Sequence, residues 1–202
     1  MQSIDKSQLS AIEEYKVLIG TVIPRPIAFV STLSEDGQVN LAPFSFYNIV
    51  SYNPAILSIS IQRRQGQMKD SARHILRTGE AVIHSVSATN LEAVNQAAKE
   101  LPPSESELPL TGMTTVASTK IKTPGVLEAM TRFETKLYQH IPITNDKEEV
   151  IADLMLLEVL HYHMDETVYQ ETYVLADQLQ PMSRLAGQDY AALGEMRRLE
   201  RP

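Results

Sequence analysis

The 202-residue chain contains no cysteine and no tryptophan. Without thiols, disulfides, thiolate metal sites, cysteine nucleophiles and thiol redox chemistry are all excluded. Any redox activity must therefore be borrowed from a cofactor. No apolar run approaches the ~20 residues that a membrane-spanning helix needs. Residues 1–10 (MQSIDKSQLS) are polar and lack the apolar core of a secretory signal. The expectation is a cytoplasmic protein with no membrane partner. The net charge of -7 argues against a broad nucleic-acid surface. No Walker loop, GxGxxG or nucleophile-elbow serine occurs, so a dinucleotide, if used, is not held by a Rossmann unit.

What is present reads mainly as strand. Residues 26–33, 38–42, 55–61, 80–87, 132–143 and 150–163 carry β-forming runs bounded by turn residues. Helices are predicted at 9–19, with Leu9, Ile12, Tyr15 and Ile19 on one stripe, and at 71–78 and 89–100. Ser71 is read as the N-cap of the second helix and Gly79 as its terminator. Pro102-Pro103 is expected to stop the third. Residues 102–119 read as loop, with Ser104-Glu105-Ser106-Glu107 solvated, and 181–200 as a loop followed by a short helix. With no repeat and no linker, residues 1–202 read as one mostly β domain, a barrel decorated with helices.

Two stretches could carry chemistry. Residues 62–73 (QRRQGQMKDSAR) gather Arg63, Arg64, Lys69 and Arg73 around a helix start, in a chain that is acidic overall. A helix N-terminus with free N–H groups and a positive dipole end suits a phosphate. The same pattern also serves as a solvated basic turn with an ordinary serine cap. In residues 39–48 the return strand meets Pro43, which is expected to break it, and runs on into Phe44-Ser45-Phe46-Tyr47-Asn48. Amides freed there could face the acceptor edge of a flat heteroaromatic ligand, with the aromatic side chains as walls. An aromatic cluster closing one end of a barrel is the alternative.

Ser31 and Thr32 point to opposite faces of their strand, so at most one of them can reach a given ligand. Ala28, Val30 and Thr32 share one face; Phe29, Ser31 and Leu33 share the other. His161, His163 and Asp165 fall on one strand face and could be metal donors, but nothing else marks such a site, and none is expected.

At these residues the sequence resembles the flavin reductase-like family of FMN-binding split barrels. The resemblance rests on PRPIAFVSTLSEDGQVNLAPFSFYNIVS (24–51), PAILSISI (54–61), KDSARHILRTGEAVI (69–83) and PMSRLAGQDYAALGE (181–195), in order over nearly the whole chain. It implies a homodimeric six-stranded barrel that binds FMN near the subunit interface and takes hydride from NADH or NADPH. Carried over, Ala42, Pro43, Phe44, Ser45 and Phe46 run along the isoalloxazine, with Asn40 and Asn48 as polar neighbours. Ser31 or Thr32, Arg63, Lys69 and Ser71 then serve the ribityl chain and phosphate, and Arg184 belongs to the segment covering the site.

The chain departs from the family pattern in three places. His74 and His84 stand where asparagine is common, and Ala186 replaces one glycine of the C-terminal block. No general acid or base is singled out. A non-catalytic FMN carrier and a flavin-free dimeric scaffold stand as alternatives to an NAD(P)H-dependent flavin reductase. The largely apolar run 150–163 (VIADLMLLEVLHYH), with Leu154, Leu156 and Leu160 alternating with Met155, Leu157 and Val159, supports pairing with a second copy.

Overall fold

A computed structural model describes residues 1–102 and 105–200. Its first helix is α1 (Ala11–Thr21), capped by Ser10 and Glu13 in a reciprocal capping box. Strands β1 (Ala28–Leu33), β2 (Val39–Phe44), β3 (Tyr47–Tyr52) and β4 (Ala55–Gln62) follow. After helix α2 (Asp70–Thr78) come β5 (Glu80–His84), helix α3 (Leu91–Gln96) and the long strands β6 (Thr131–Thr144) and β7 (Val150–Met164). Gly79 ends α2 in the left-handed conformation, φ 72°, which glycine adopts without penalty.

Among the described residues the principal sheet has seven strands, one more than expected, in the order β2-β1-β5-β6-β7-β4-β3, all antiparallel. Its two edge strands, β2 and β3, are consecutive in the chain and separated only by Ser45 and Phe46. The sheet therefore curls back on itself and stays split where the edges meet. The amide of Ser60 bonds the Phe46 carbonyl at 2.8 Å and holds that corner in place.

Strand β1 is buried on both faces. Ala28 and Val30 join a core with Ile59, Ile75, Met155 and Leu157, covered at one end by α2. Phe29, on the other face, packs with Leu41, Val86 and Val94 beneath α3. Each large aliphatic side chain buried this way contributes about 1.5–3 kcal/mol.

Several expectations need correction. Strand β2 does not break at Pro43 but continues to Phe44, with Pro43 opposite Phe29. The N–H of Leu41 points away from β1 and is taken by Glu107 Oε2 at 3.0 Å. Pro43, two residues on, has the same orientation on an edge strand, so its missing N–H removes no ladder bond. Residues 47–52 form β3, a strand not expected from the sequence. Helix α2 begins at Asp70 with Lys69 in the cap position, so Ser71 lies inside its first turn. The stripe on α1 is mostly exposed: Ile19 is buried, whereas Ile12 and Tyr15 are not.

The strand expected at 80–87 ends at His84, and the helix expected at 89–100 spans only Leu91–Gln96. Ser104, and the Pro103 of the expected helix stop, lie outside the described residues. Ser106 and Glu107 are not simply solvated: the Ser106 hydroxyl donates to the Val39 carbonyl, and Glu107 accepts from Leu41. No helix forms among the described residues after 180. Instead Ser183–Arg184 pairs with both Arg25–Pro26 and Tyr190–Ala191 in a small sheet. In the tail beyond, Leu193, Met196 and Leu199 are exposed, and a short helix with no face to bury is unstable.

Candidate functional site

Two adjoining cavities lie on either side of Pro43 and Lys69, which line both. The first, about 330 Å³, also takes Ser45 and Phe46 from the corner after β2, Tyr15 and Ile19 from α1, and Arg184 and Tyr190 from the C-terminal segment. The second, about 350 Å³, runs along β2 past Asn40, Ala42 and Phe44 to Ser71 at the start of α2. Its far wall includes Lys99, Glu100 and Glu107.

Local structure explains this arrangement. Edge strand β2 exposes one side to the loop from Ser106, and α2 begins directly beside it. The Asn40 amide donates to the Ser71 hydroxyl at 3.0 Å, which fixes strand to helix. Helix α2 has no side-chain N-cap, so its first amides are open to an external acceptor. Burial beside the cavities pushes the Lys69 ammonium below its ordinary value, and the nearby Arg64 charge adds to this. Burial raises the Glu107 carboxyl, opposed by the Leu41 amide it accepts from.

Of the residues expected at a site, Asn40, Ala42, Phe44 and Ser71 line the second cavity, and Ser45, Phe46 and Arg184 the first. Pro43 and Lys69 belong to both. Four others line neither. The Ser31 hydroxyl donates to the Pro124 carbonyl at 2.6 Å, and Thr32 bonds His74 Nδ1 at 3.2 Å. Asn48 is exposed and bonds the amide of Ile49.

The Arg63 guanidinium is engaged bidentately by Asp153 at 2.9 Å, with His140 on the same carboxylate. Burial by itself raises the Asp153 carboxyl, but Arg63 and His140 outweigh it and hold the group below its ordinary value. A long, apolar-looking strand gave no hint that one inward position holds the partner of Arg63.

His74 and His84, the departures from the family pattern, both face inward. His84 Nδ1 donates to the Phe29 carbonyl at 2.8 Å, while Nε2 accepts from the Val126 amide at 3.0 Å. That pairing requires the neutral ring, and burial pushes its pKa down to about 4. His163 bonds Glu134 at 2.5 Å, and no group of three metal-ligating side chains occurs among the described residues.

Sequence reasoning missed Arg25 and Glu107, and included Tyr190 only as the end of the covering segment 184–190. Arg25 is 7% exposed, and it donates to the carbonyls of Ile19 at 2.8 Å, Val22 at 2.6 Å and Leu185 at 2.7 Å. The one available signal was a charged residue between two prolines at the entry to a buried strand. Tyr190 carries the Arg184 guanidinium 4.5 Å above its ring and bonds Asn95 through its hydroxyl.

Residues 19–181 match the flavin reductase like domain family, and the chain belongs to that family. It is 50% identical over 204 residues to the Bacillus subtilis (strain 168) protein YwrF, with all of both chains covered. Nitrilotriacetate monooxygenase component B from Bacillus cereus has a similar structure, with TM-score 0.96, 40% identity and 98% of each chain covered. A split barrel domain protein from Shewanella frigidimarina NCIMB 400 matches at TM-score 0.84 over 100% of each chain. At 17% identity it speaks to the fold alone. The fold is thus a flavin reductase-like split barrel, mostly β with a few helices. No helix among the described residues is long and apolar enough to cross a membrane.

Proposed function

We propose that this chain is an FMN-dependent oxidoreductase of the flavin reductase kind, working as a cytoplasmic homodimer with NADH or NADPH as hydride donor. The observation that carries the reading is the meeting of two cavities at Pro43 and Lys69, beside an uncapped helix start. The residues fit an elongated ligand with a flat end and an anionic end. Lys69, the hydroxyl of Ser71 and the open amides of α2 suit a terminal phosphate. Ala42 to Phe46 offer edge-strand backbone and aromatic surface to the ring.

When bound, FMN supplies a two-electron acceptor whose N5 takes hydride from the nicotinamide. The chain's own part is to orient the ring, to anchor the phosphate and to limit water at the corner around Ser45. No side chain is assigned as general acid or base. Pocket electrostatics also shape the site, since Glu107 and Asp70 line the same cavity as Lys69.

The test is a spectrum of the purified protein with identification of any released cofactor, followed by NAD(P)H oxidation with free flavin as acceptor. A flavin spectrum from FMN together with turnover supports the reading. Bound FMN without turnover indicates a carrier or electron-transfer protein, and a colourless chain that takes up no flavin overturns the proposal.

A further inference from the structure

Glu107 stands apart from the other carboxylates of the cavity along β2. That cavity is lined by three cations, Arg64, Lys69 and Lys99, and by three carboxylates, Asp70, Glu100 and Glu107. Asp70 pairs with Arg73 and Glu100 with Arg64, whereas Glu107 takes part in no salt bridge among the described residues. Its partner is the Leu41 amide, which donates to Oε2 at 3.0 Å.

The carboxylate is also fixed in place. Leu41 belongs to the edge strand β2, and the neighbouring Ser106 hydroxyl donates to the Val39 carbonyl of the same strand. Two adjacent side chains thus fasten this segment to β2, and Glu107 stays half-buried against the cavity. Burial raises its carboxyl, the Leu41 amide opposes the rise, and the Asp70 charge at the start of α2 adds to it. With Glu107 ionised the three cations and three carboxylates cancel, which suits a phosphate dianion poorly. With Glu107 protonated, one positive charge is left over in the cavity that holds Lys69 and Ser71.

We propose that Glu107 makes this end of the site proton-linked, taking up a proton from solvent as a phosphate monoester enters and giving it back as the phosphate leaves. This rests on the proposed FMN site, whose phosphate lies at Lys69 and Ser71. A negative ligand beside a carboxyl favours the protonated form, so proton and phosphate bind cooperatively. Through Glu107, FMN is held more tightly as the pH falls and is loosened as it rises. Riboflavin, which has no phosphate, is indifferent.

The test is fluorescence titration of Glu107→Gln and the parent with FMN and with riboflavin, from about pH 5 to about pH 8. Glutamine keeps an oxygen for the Leu41 amide and stays neutral throughout. At about pH 5 the two proteins should bind FMN within roughly threefold of each other, and at about pH 8 the variant at least roughly tenfold more tightly. Titration of the FMN phosphate itself, at about 6, is common to both proteins and cancels in that ratio, as does any titration of Lys69. Riboflavin should show no gap that grows with pH. If the variant does not fold, carboxyl NMR of the carbon-13-labelled parent decides: the Glu107 midpoint rises when FMN is added and stays in place with riboflavin.

An FMN gap that is the same at every pH, or one that riboflavin shares, overturns the proposal and leaves the FMN reading standing. So does a Glu107 midpoint that FMN does not move. A chain that binds FMN no better than riboflavin at any pH removes the phosphate reading, and the proton linkage falls with it.

Discussion

The Asn40 side-chain amide donates to the Ser71 hydroxyl across 3.0 Å, and both residues are buried. This bond joins the edge strand β2 to the first turn of α2, the two elements that form the candidate phosphate corner. Ser71→Ala leaves a buried amide donor without its acceptor, which costs about 1–3 kcal/mol. No helix-cap loss adds to this, because Ser71 is not the cap residue. In a double-mutant cycle, Asn40→Ala with Ser71→Ala should cost less than the sum of the single changes, by about 1 kcal/mol. Urea unfolding of the four proteins measures the coupling, and strict additivity would contradict it.

His84 should make the fold sensitive to mild acid. Burial lowers its pKa from 6.5 to about 4, so below 6.5 the unfolded chain takes up a proton that the native chain refuses. Stability is therefore full above 6.5 and declines as the pH falls towards about 4. The loss amounts to roughly 3 kcal/mol at most. Asp153 is depressed, so its contribution is present above 3.8 and is lost only at lower pH, outside this window. Unfolding midpoints measured against pH should show the decline in the parent and a flatter profile in His84→Gln. Identical profiles would argue against a neutral, doubly bonded His84.

Much of the frame was legible because long periodic elements announce themselves. The runs 132–143 and 150–163 became β6 and β7 almost to the residue, and Gly79 ended α2 as a left-handed glycine must. The candidate site, as a pair of cavities, was legible in part. Lys69, Ser71 and the 42–46 segment converge because β2 and α2 are neighbours, and both had been marked by their local chemistry.

What could not be read depended on position in the sheet. Pro43 signals a break only in a central strand, and no local pattern shows that β2 is an edge. Arg63 is indistinguishable from Arg64 in sequence, yet only Arg63 lies opposite a buried aspartate in the folded sheet. Arg25 and Arg184 are 159 residues apart in the chain and meet in register only through the small C-terminal sheet.

Dimerisation is expected from surface that one chain leaves uncovered. Ile12 and Leu18 on α1 are 68% and 59% exposed, and Ile49 on the edge strand β3 is 72% exposed. Strand β7 buries Met155 and Leu157 inward while Leu154 and Leu156 are only partly covered on its outer face. These exposed apolar side chains are the surface we propose for pairing with a second copy. Sedimentation velocity at micromolar concentration should give a dimer with or without FMN. A monomer that still binds FMN tightly would remove the dimer from the account.

The central claim is that Lys69 and the start of α2 anchor the phosphate of FMN, and fluorescence titration with FMN and riboflavin tests it most directly. The two ligands differ only in that phosphate. A charge-assisted contact of about 1.5–3 kcal/mol predicts FMN binding roughly 10- to 100-fold tighter in the parent protein. In Lys69→Ala the gap should largely close, through weaker FMN binding and little change for riboflavin. Equal affinity for both ligands in the parent, or an unchanged gap in Lys69→Ala, would contradict the account.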